Sequence, residues 1–331
     1  MSDKILVTGG AGFIGSHVAE ELVARGGDVV VLDDLSGGYR GNVPQGARFI
    51  KGSILDTALI KRIFQQHKFK YVFHLAAYAA EGLSHFIKKF NYENNLIGSV
   101  NLINASVNNN VKCFAFTSSI AVYGENQLPM TEALTPCPED SYGISKLAVE
   151  QELKASKRLF GLDYIIFRPH NVYGERQNIR DKYRNVIGIF MNQIMTGKPL
   201  TIFGDGKQKR AFTYIKDIAP VMAGSVFNRK AYGQVFNIGA DKPYSVNELI
   251  GKVCKAMGVP SCEVRHLQAR LEVKYAFSSH EKVQKFFAYR PKYSLEEGLA
   301  AMALWARTSK CGPTKKFKNI EIMKNLPKGW L

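Results

Sequence analysis

Residues 4–16 read KILVTGGAGFIGS, and the fold turns on this stretch. Ile5, Leu6 and Val7 are a short apolar run of β-formers, suited to a buried strand. The run breaks at Gly9 and Gly10, and an amphipathic pattern begins at Phe13. Gly9, Gly12 and Gly15 make a G-x-x-G-x-x-G spacing. The first glycine permits a tight turn out of the strand. The second removes a side chain where backbone must approach a pyrophosphate, and the third lets helix and strand pack closely. A helix starting at Phe13 aims its free N–H groups and partial positive charge at those phosphates.

Working outward, a second apolar run, Val29 to Leu32, ends in Asp33 and closes a βαβ unit. A carboxylate at that strand end accepts from the adenosine ribose hydroxyls and repels a 2′-phosphate, so NAD is expected rather than NADP. Asp34 strengthens this, and the nearest basic residue is Arg40. Strand patterns follow at 48–52, 71–75, 113–117 and 163–167, alternating with helical patterns at 57–66, 92–109 and 142–160. Such alternation predicts an α/β fold, a Rossmann doubly wound parallel sheet. Leu75, Ala76 and Ala77 end one strand in small residues that leave room for a ligand at the sheet's carboxyl edge. The second half is less regular, with helices expected at 186–196 and 245–257 and strands at 200–203 and 235–238. A Rossmann domain over 1–169, to which 212–240 return, and a smaller, interwoven domain over 170–331 are expected. The tail beyond Trp305 is polar and basic and reads as irregular.

The chain has 331 residues, enough for a large core, and a formal charge of +17. That charge could attract nucleic acid, an acidic membrane surface or small anions. No basic patch is interleaved with aromatics for base stacking, so a negatively charged nucleotide is the expected partner and RNA the lesser one. No apolar run approaches a membrane span, and no leader segment is expected. The five cysteines are scattered and odd in number, with no Cys/His spacing for a metal, so a reduced, cytoplasmic setting without metal is expected.

Tyr142 and Lys146 lie four apart and share one face of a helix. Beside a nicotinamide ring, the lysine would lower the phenol's pKa, and the phenolate could take a proton from a sugar hydroxyl as hydride leaves the same carbon. Ser119, just past the strand ending at Thr117, could hold that hydroxyl in place.

With TGGAGFIGS, VLDDLS, HLAA, NYENNLIGS, SSIAVYGE, YGISK, RPHNVYG, LTIFGDGKQKRAFTYIKD and VFNIG, the chain resembles the extended short-chain dehydrogenase/reductases. Within them it resembles the NAD-dependent nucleotide-sugar epimerase/dehydratase family, and in particular its UDP-glucose 4-epimerase-like members. The resemblance runs from Lys4 to about Leu304. It implies NAD, a Ser119/Tyr142/Lys146 triad, a nucleotide-sugar-binding role for the 170–331 domain, and C4 epimerisation of a UDP-hexose through a transient 4-keto sugar. Gly9, Gly12, Phe13, Ile14, Asp33, Asp34, Ser36, Ser53 and Ile54 are implied to hold the pyrophosphate and adenosine. Leu75, Ala76, Ala77 and Asn95 are implied to line the rest of the cofactor groove, with Tyr142 and Lys146 at its end. For substrate the implied set is Ser119, Asn171, Asn185, Thr201, Phe203, Arg210 and Arg270, with Thr201 and Phe203 at the uracil and Arg210 at the diphosphate. A homodimer through the helices at 92–109 and 142–160 is implied too.

Departures narrow the reaction. Ser53 stands where the family carries an aspartate for the adenine amino group, and Ala79 near a lysine of the epimerases. Tyr78 and Glu81 are set to reshape the sugar pocket. Arg270 sits one residue out of register with the family's phosphate arginine, and His170 replaces an aromatic or aliphatic residue. The dehydratases' acidic pair is replaced by Ile120 and Ala121, so no carboxyl acid is placed to expel a C6 hydroxyl. Ala276 falls where some 4-epimerases have tyrosine, which leaves space for a 2-acetamido group. UDP-glucose, UDP-GlcNAc and UDP-glucuronate stay open as substrates. A nucleotide-sugar dehydrogenase or reductase is the alternative, and a non-catalytic NAD sensor or RNA-binding relative a more distant one.

Overall fold

A computed structural model describes residues 3–269, 273–309, 317–327 and 330. The opening stretch forms strand β1 (Lys4–Thr8) and helix α1 (Phe13–Ala24), followed by β2 (Asp28–Asp33). Next come β3 (Arg48–Lys51), α2 (Thr57–His67), β4 (Tyr71–His74), α3 (Gly98–Asn108), β5 (Cys113–Thr117), α4 (Ser141–Phe160) and β6 (Tyr164–Pro169). The seventh strand, β7 (Gln234–Ile238), comes from the second half of the chain and pairs with β6. The sheet order is β7-β6-β5-β4-β1-β2-β3, and every pairing is parallel. Strand order reverses between β1 and β4, so their carboxyl ends open a crevice at the switch point.

Both sheet faces are buried, as a parallel sheet requires. Leu6, Val30, Val72, Phe114 and Ile166 face α2, α3 and α4, meeting Phe64, Leu102 and Leu153. Their odd-numbered neighbours Ile5, Val7, Val31, Phe73 and Phe167 face the other way, onto Val18 and Leu22 of α1 and Met222 of the helix at Ile215–Gly224. The period-2 alternation of side chains thus serves two cores at once. No helix among the described residues is long and apolar enough to cross a membrane.

The glycine turn is built as its spacing demands. Gly9 has φ +71°, and a Cβ there would lie 2.6 Å from the Ala76 amide nitrogen. A Cβ on Gly15 would lie 2.1 Å from the Gly9 carbonyl oxygen. Gly15→Ala is therefore expected to push α1 off β1, costing about 1–3 kcal/mol. Thermal melting and the nucleotide content of the purified protein report it, and an unchanged content would refute the close-packing role.

The helix expected at 92–109 is not continuous. A short helix at Lys88–Tyr92 passes through one π-turn segment, Glu93–Ile97, before α3 starts at Gly98. The wider turn shifts the helical phase by about a residue, which no apolar periodicity announces. Residues 317–327 are irregular, as expected of the tail, and Leu326 and Trp330 are buried with Ala80, Leu83, Ile87 and Tyr183 in a separate apolar cluster.

Candidate active site

The crevice is a cavity of about 780 Å³ that runs from the glycine turn to the strand at Leu200–Phe203. α1 begins at the cavity with Gly12 as its N-cap and no side-chain cap. Its first-turn amides are thus not claimed by a capping side chain, as an anion-binding helix start requires. Asp33 fastens this turn from below: its carboxylate accepts from Ala11 N at 3.0 Å and Leu35 N at 2.8 Å. Burial pushes its pKa up, while the amides of Leu35, Ala11 and Gly12 pull it back. Asp34 accepts from Ser36 N at 2.8 Å. Gly9, Gly12, Phe13, Ile14, Asp33, Asp34 and Ser36 all lie on the cavity wall, as do Ile54, Leu75, Ala76 and Ala77. A glycine-built turn beside a helix start, with an acid at the end of β2, fits a dinucleotide.

Two expected cofactor residues stand elsewhere. Ser53 accepts from Leu55 N at 3.1 Å through its hydroxyl and is not on the wall, although Gly52 and Ile54 on either side of it are. Asn95 is 1 % exposed and grips Tyr78 instead, accepting from its N at 2.8 Å and donating to its O at 3.1 Å. The π-turn rotates Asn94 to the cavity in its place. Arg270 lies outside the described residues.

At the centre, Asp140 caps α4 by accepting from Gly143 N at 2.8 Å, which sets Tyr142 and Lys146 on the face beside β5. The Lys146 ammonium donates to Thr117 O at 2.8 Å and lies 5.6 Å from the Tyr142 ring centroid. Ser119 Oγ accepts from Ala121 N at 3.1 Å, and the Ser119 hydroxyl favours the ionised form of the Tyr142 phenol. All three side chains line the cavity. Burial acts on both titratable members of the triad in the chain alone. Burial, reinforced by the Glu81 charge, raises the Tyr142 pKa, and Ser119 only partly offsets it. Burial likewise takes Lys146 down to about 7, against the pull of Glu150. In the chain alone, burial thus disfavours the charged form of both groups.

Behind the triad lies an ion pair that sequence reading missed. Glu150 and Arg168 are 0 % and 3 % exposed at their side chains. Glu150 Oε1 accepts from Arg168 Nε at 2.9 Å and from Ser118 Oγ at 2.6 Å. Glu150 lies one turn beyond Lys146, and Arg168 opens the RPHNVYG motif, but nothing in their types announces that they meet.

The substrate end assembles from several strands. Asn185 caps the helix Val186–Met195 through Ile187 N at 3.0 Å and donates to Val172 O at 2.8 Å. Asn171 donates to Ala211 O at 3.3 Å, and Thr201 accepts from Gln193 at 2.8 Å. Arg210 donates to the carbonyls of Lys209 and Lys274 at 2.9 and 3.0 Å, and to that of Val273. These four, with Phe203, Ala276 and Glu81, share the wall. His170 also lines it and donates from Nδ1 to Ala211 O at 3.0 Å. Burial and His280 hold its pKa down, to about 3. His280, 3.1 Å away, bonds Asp241 at 2.5 Å on its far side, so a His–His–Asp chain runs from cavity to surface.

A model of the NAD dependent epimerase/dehydratase family matches residues 5–239. The UDP-glucose 4-epimerase of Thermotoga maritima, solved with UDP-glucose, is 36 % identical with a TM-score of 0.87; the match covers 92 % of this chain and 99 % of that one. The UDP-glucuronic acid 4-epimerase of Bacillus cereus, solved with UDP-glucuronic acid and NAD, is 31 % identical with a TM-score of 0.85, at 92 % and 99 % coverage. A UDP-N-acetyl-alpha-D-glucosaminuronate decarboxylase of Bacillus cytotoxicus is 31 % identical over 329 residues, covering 93 % of this chain and 98 % of its own.

Proposed function

The chain belongs to the NAD-dependent epimerase/dehydratase family, and from that premise we propose that it inverts C4 of a UDP-hexose. The observation that carries this reading is the convergence of Ser119, Tyr142 and Lys146 on one wall, with Ile120 and Ala121 beside them where a dehydratase needs acids. Gly9, Gly12, Phe13 and Ile14 would hold the pyrophosphate of NAD, and Asp33 and Asp34 its adenosine side. Bound there, NAD supplies the acceptor for a hydride from the sugar and the donor for its return. Ser119 orients the C4 hydroxyl. Tyr142 takes its proton as the carbon is oxidised and gives it back to the same oxygen after the sugar has presented its other face. The proton is conserved over the cycle, so no external acid is consumed. Lys146 supports the phenolate when protonated. Asn171, Asn185, Thr201, Phe203 and Arg210 bind the UDP portion. A homodimer belongs to the same reading, supported by the exposed apolar side chains Ile97 and Ile144 beside α3 and on α4.

Among hexoses, Ala276 on the wall leaves space for a 2-acetamido group. A carboxylated hexose is the second reading. Arg184 favours it, because it lines the cavity with its guanidinium 5.1 Å from the Tyr78 ring centroid. Proton NMR of the protein with UDP-glucose, UDP-GlcNAc or UDP-glucuronate, without added cofactor, decides. The expected result is a new axial or equatorial H4 pattern with one of the three. Net oxidation that needs added NAD would move the assignment to a dehydrogenase, and loss of CO₂ from the glucuronate to a decarboxylase.

A further inference from the structure

The resemblance to the epimerase family ends near Leu304, yet residues beyond it complete the cavity. Lys318 and Asn319 are on the wall, and Phe317 stands beside them. The Phe317 ring packs against Tyr78 at 5.4 Å and Phe90 at 5.0 Å between centroids. Its N–H donates to the Tyr183 hydroxyl at 3.2 Å, and that hydroxyl donates to Trp330 O at 3.4 Å. Trp330, 5 % exposed, sets its indole against Tyr183 at 5.4 Å and Phe203 at 6.4 Å. The segment is pinned at its middle as well. The Glu321 carboxylate accepts from Lys89 N at 2.8 Å and Phe90 N at 2.9 Å, where it completes the start of the short helix, and Glu321 N donates to Phe86 O at 2.8 Å.

Tyr78, Tyr183 and Phe203 all line the cavity, and Phe203 does so beside Thr201 and Arg210. The described tail residues thus pack along the wall that holds the residues read as the sugar-nucleotide end. They are held by aromatic packing and backbone hydrogen bonds at both ends.

We propose that residues 317–327 and Trp330 form a built-in cap on the substrate half of the cavity, bringing Lys318 and Asn319 to a nucleoside diphosphate and fixing Tyr78 and Tyr183 around it. The inference rests on the sugar-nucleotide reading of the site. A cap already in place spares the ordering entropy of a loop that closes on each ligand. Lys318 adds a mobile point charge where anionic oxygens are to be bound.

The test compares three chains by calorimetric titration with UDP, dTDP, GDP and CDP, and by NAD content after acid release. The chains are the intact protein, Lys318→Ala with Asn319→Ala, and a chain ending at Ser309. Equal NAD content in all three is expected. Affinity for the preferred diphosphate should fall about threefold or more in the double variant and about tenfold or more in the shortened chain. If the shortened chain does not fold, Trp330→Ala takes its place. Affinities within about twofold of the intact chain overturn the cap. So does tighter binding by the shortened chain, which would make the tail a plug. If the intact chain binds none of the four diphosphates, the reading of the site falls, and the cap with it.

Discussion

Tyr142→Phe is expected to lower turnover by roughly 10²–10⁴-fold, the range of a lost general base, while the protein keeps its bound NAD. The change deletes one oxygen from a side chain that is 6 % exposed and leaves the ring's packing in place. The influence of Ser119 on the phenol goes with it. Turnover within about tenfold of the parent would remove Tyr142 from the proton-transfer role. Lys146→Met makes the companion case, because its effects on rate and stability are opposed. Turnover should fall by a comparable factor. The Lys146 amine titrates near 7 when folded, below its ordinary 10.5. Below pH 7 the folded chain must bury an ammonium that the unfolded chain leaves in water, so the cost is then fully present. Between pH 7 and 10.5 the unfolded state binds the extra proton, and stability rises with pH as the cost fades. Lys146→Met in nucleotide-stripped protein should thus melt higher than the parent at pH 6, by an amount that shrinks toward pH 10. A gain that grows with pH would contradict the buried-amine assignment.

The legible parts of this chain were those written locally. The glycine turn, the acid ending β2 and the two-sided strands follow from spacing and period, and the structure reproduces them. The triad was legible because α4 places Tyr142 and Lys146 one turn apart and β5 ends two residues before Ser119. The missing parts depend on distant residues meeting. Asn95 reads as a groove residue until a π-turn, invisible to periodicity, turns it onto Tyr78. The tail reads as polar and irregular because its lysines dominate the composition, yet Phe317, Leu326 and Trp330 are spaced to find one apolar patch. Burial, which a sequence does not display, opposes ionisation of Tyr142 and protonation of Lys146 in the chain alone.

The Glu150–Arg168 pair was hidden for the same reason, and breaking it should produce the largest loss of stability. Glu150→Ala leaves the Arg168 guanidinium almost without solvent and takes the acceptor from Ser118. A buried charge stripped of its partner costs about 3–5 kcal/mol, which in thermal melting is a fall of roughly 5–10 °C. A paired exchange, Glu150→Met with Arg168→Met, removes both charges and should recover most of that loss, since apolar side chains of similar volume can replace a buried pair without penalty. Turnover should not recover with it. Ser118 adjoins the triad serine, and Arg168 stands two residues before His170 on the cavity wall. Through its shared carboxylate Glu150 ties the end of β5 and the end of β6 to α4, the helix that carries Tyr142 and Lys146. A methionine pair can fill the space, but it cannot fix the angle between those three elements. The double variant should therefore melt near the parent and turn over about tenfold or more slower, as misplacement of a positioned catalytic group predicts. Recovery of both would show the pair to be packing alone, and recovery of neither would place its worth in the fold rather than in the site.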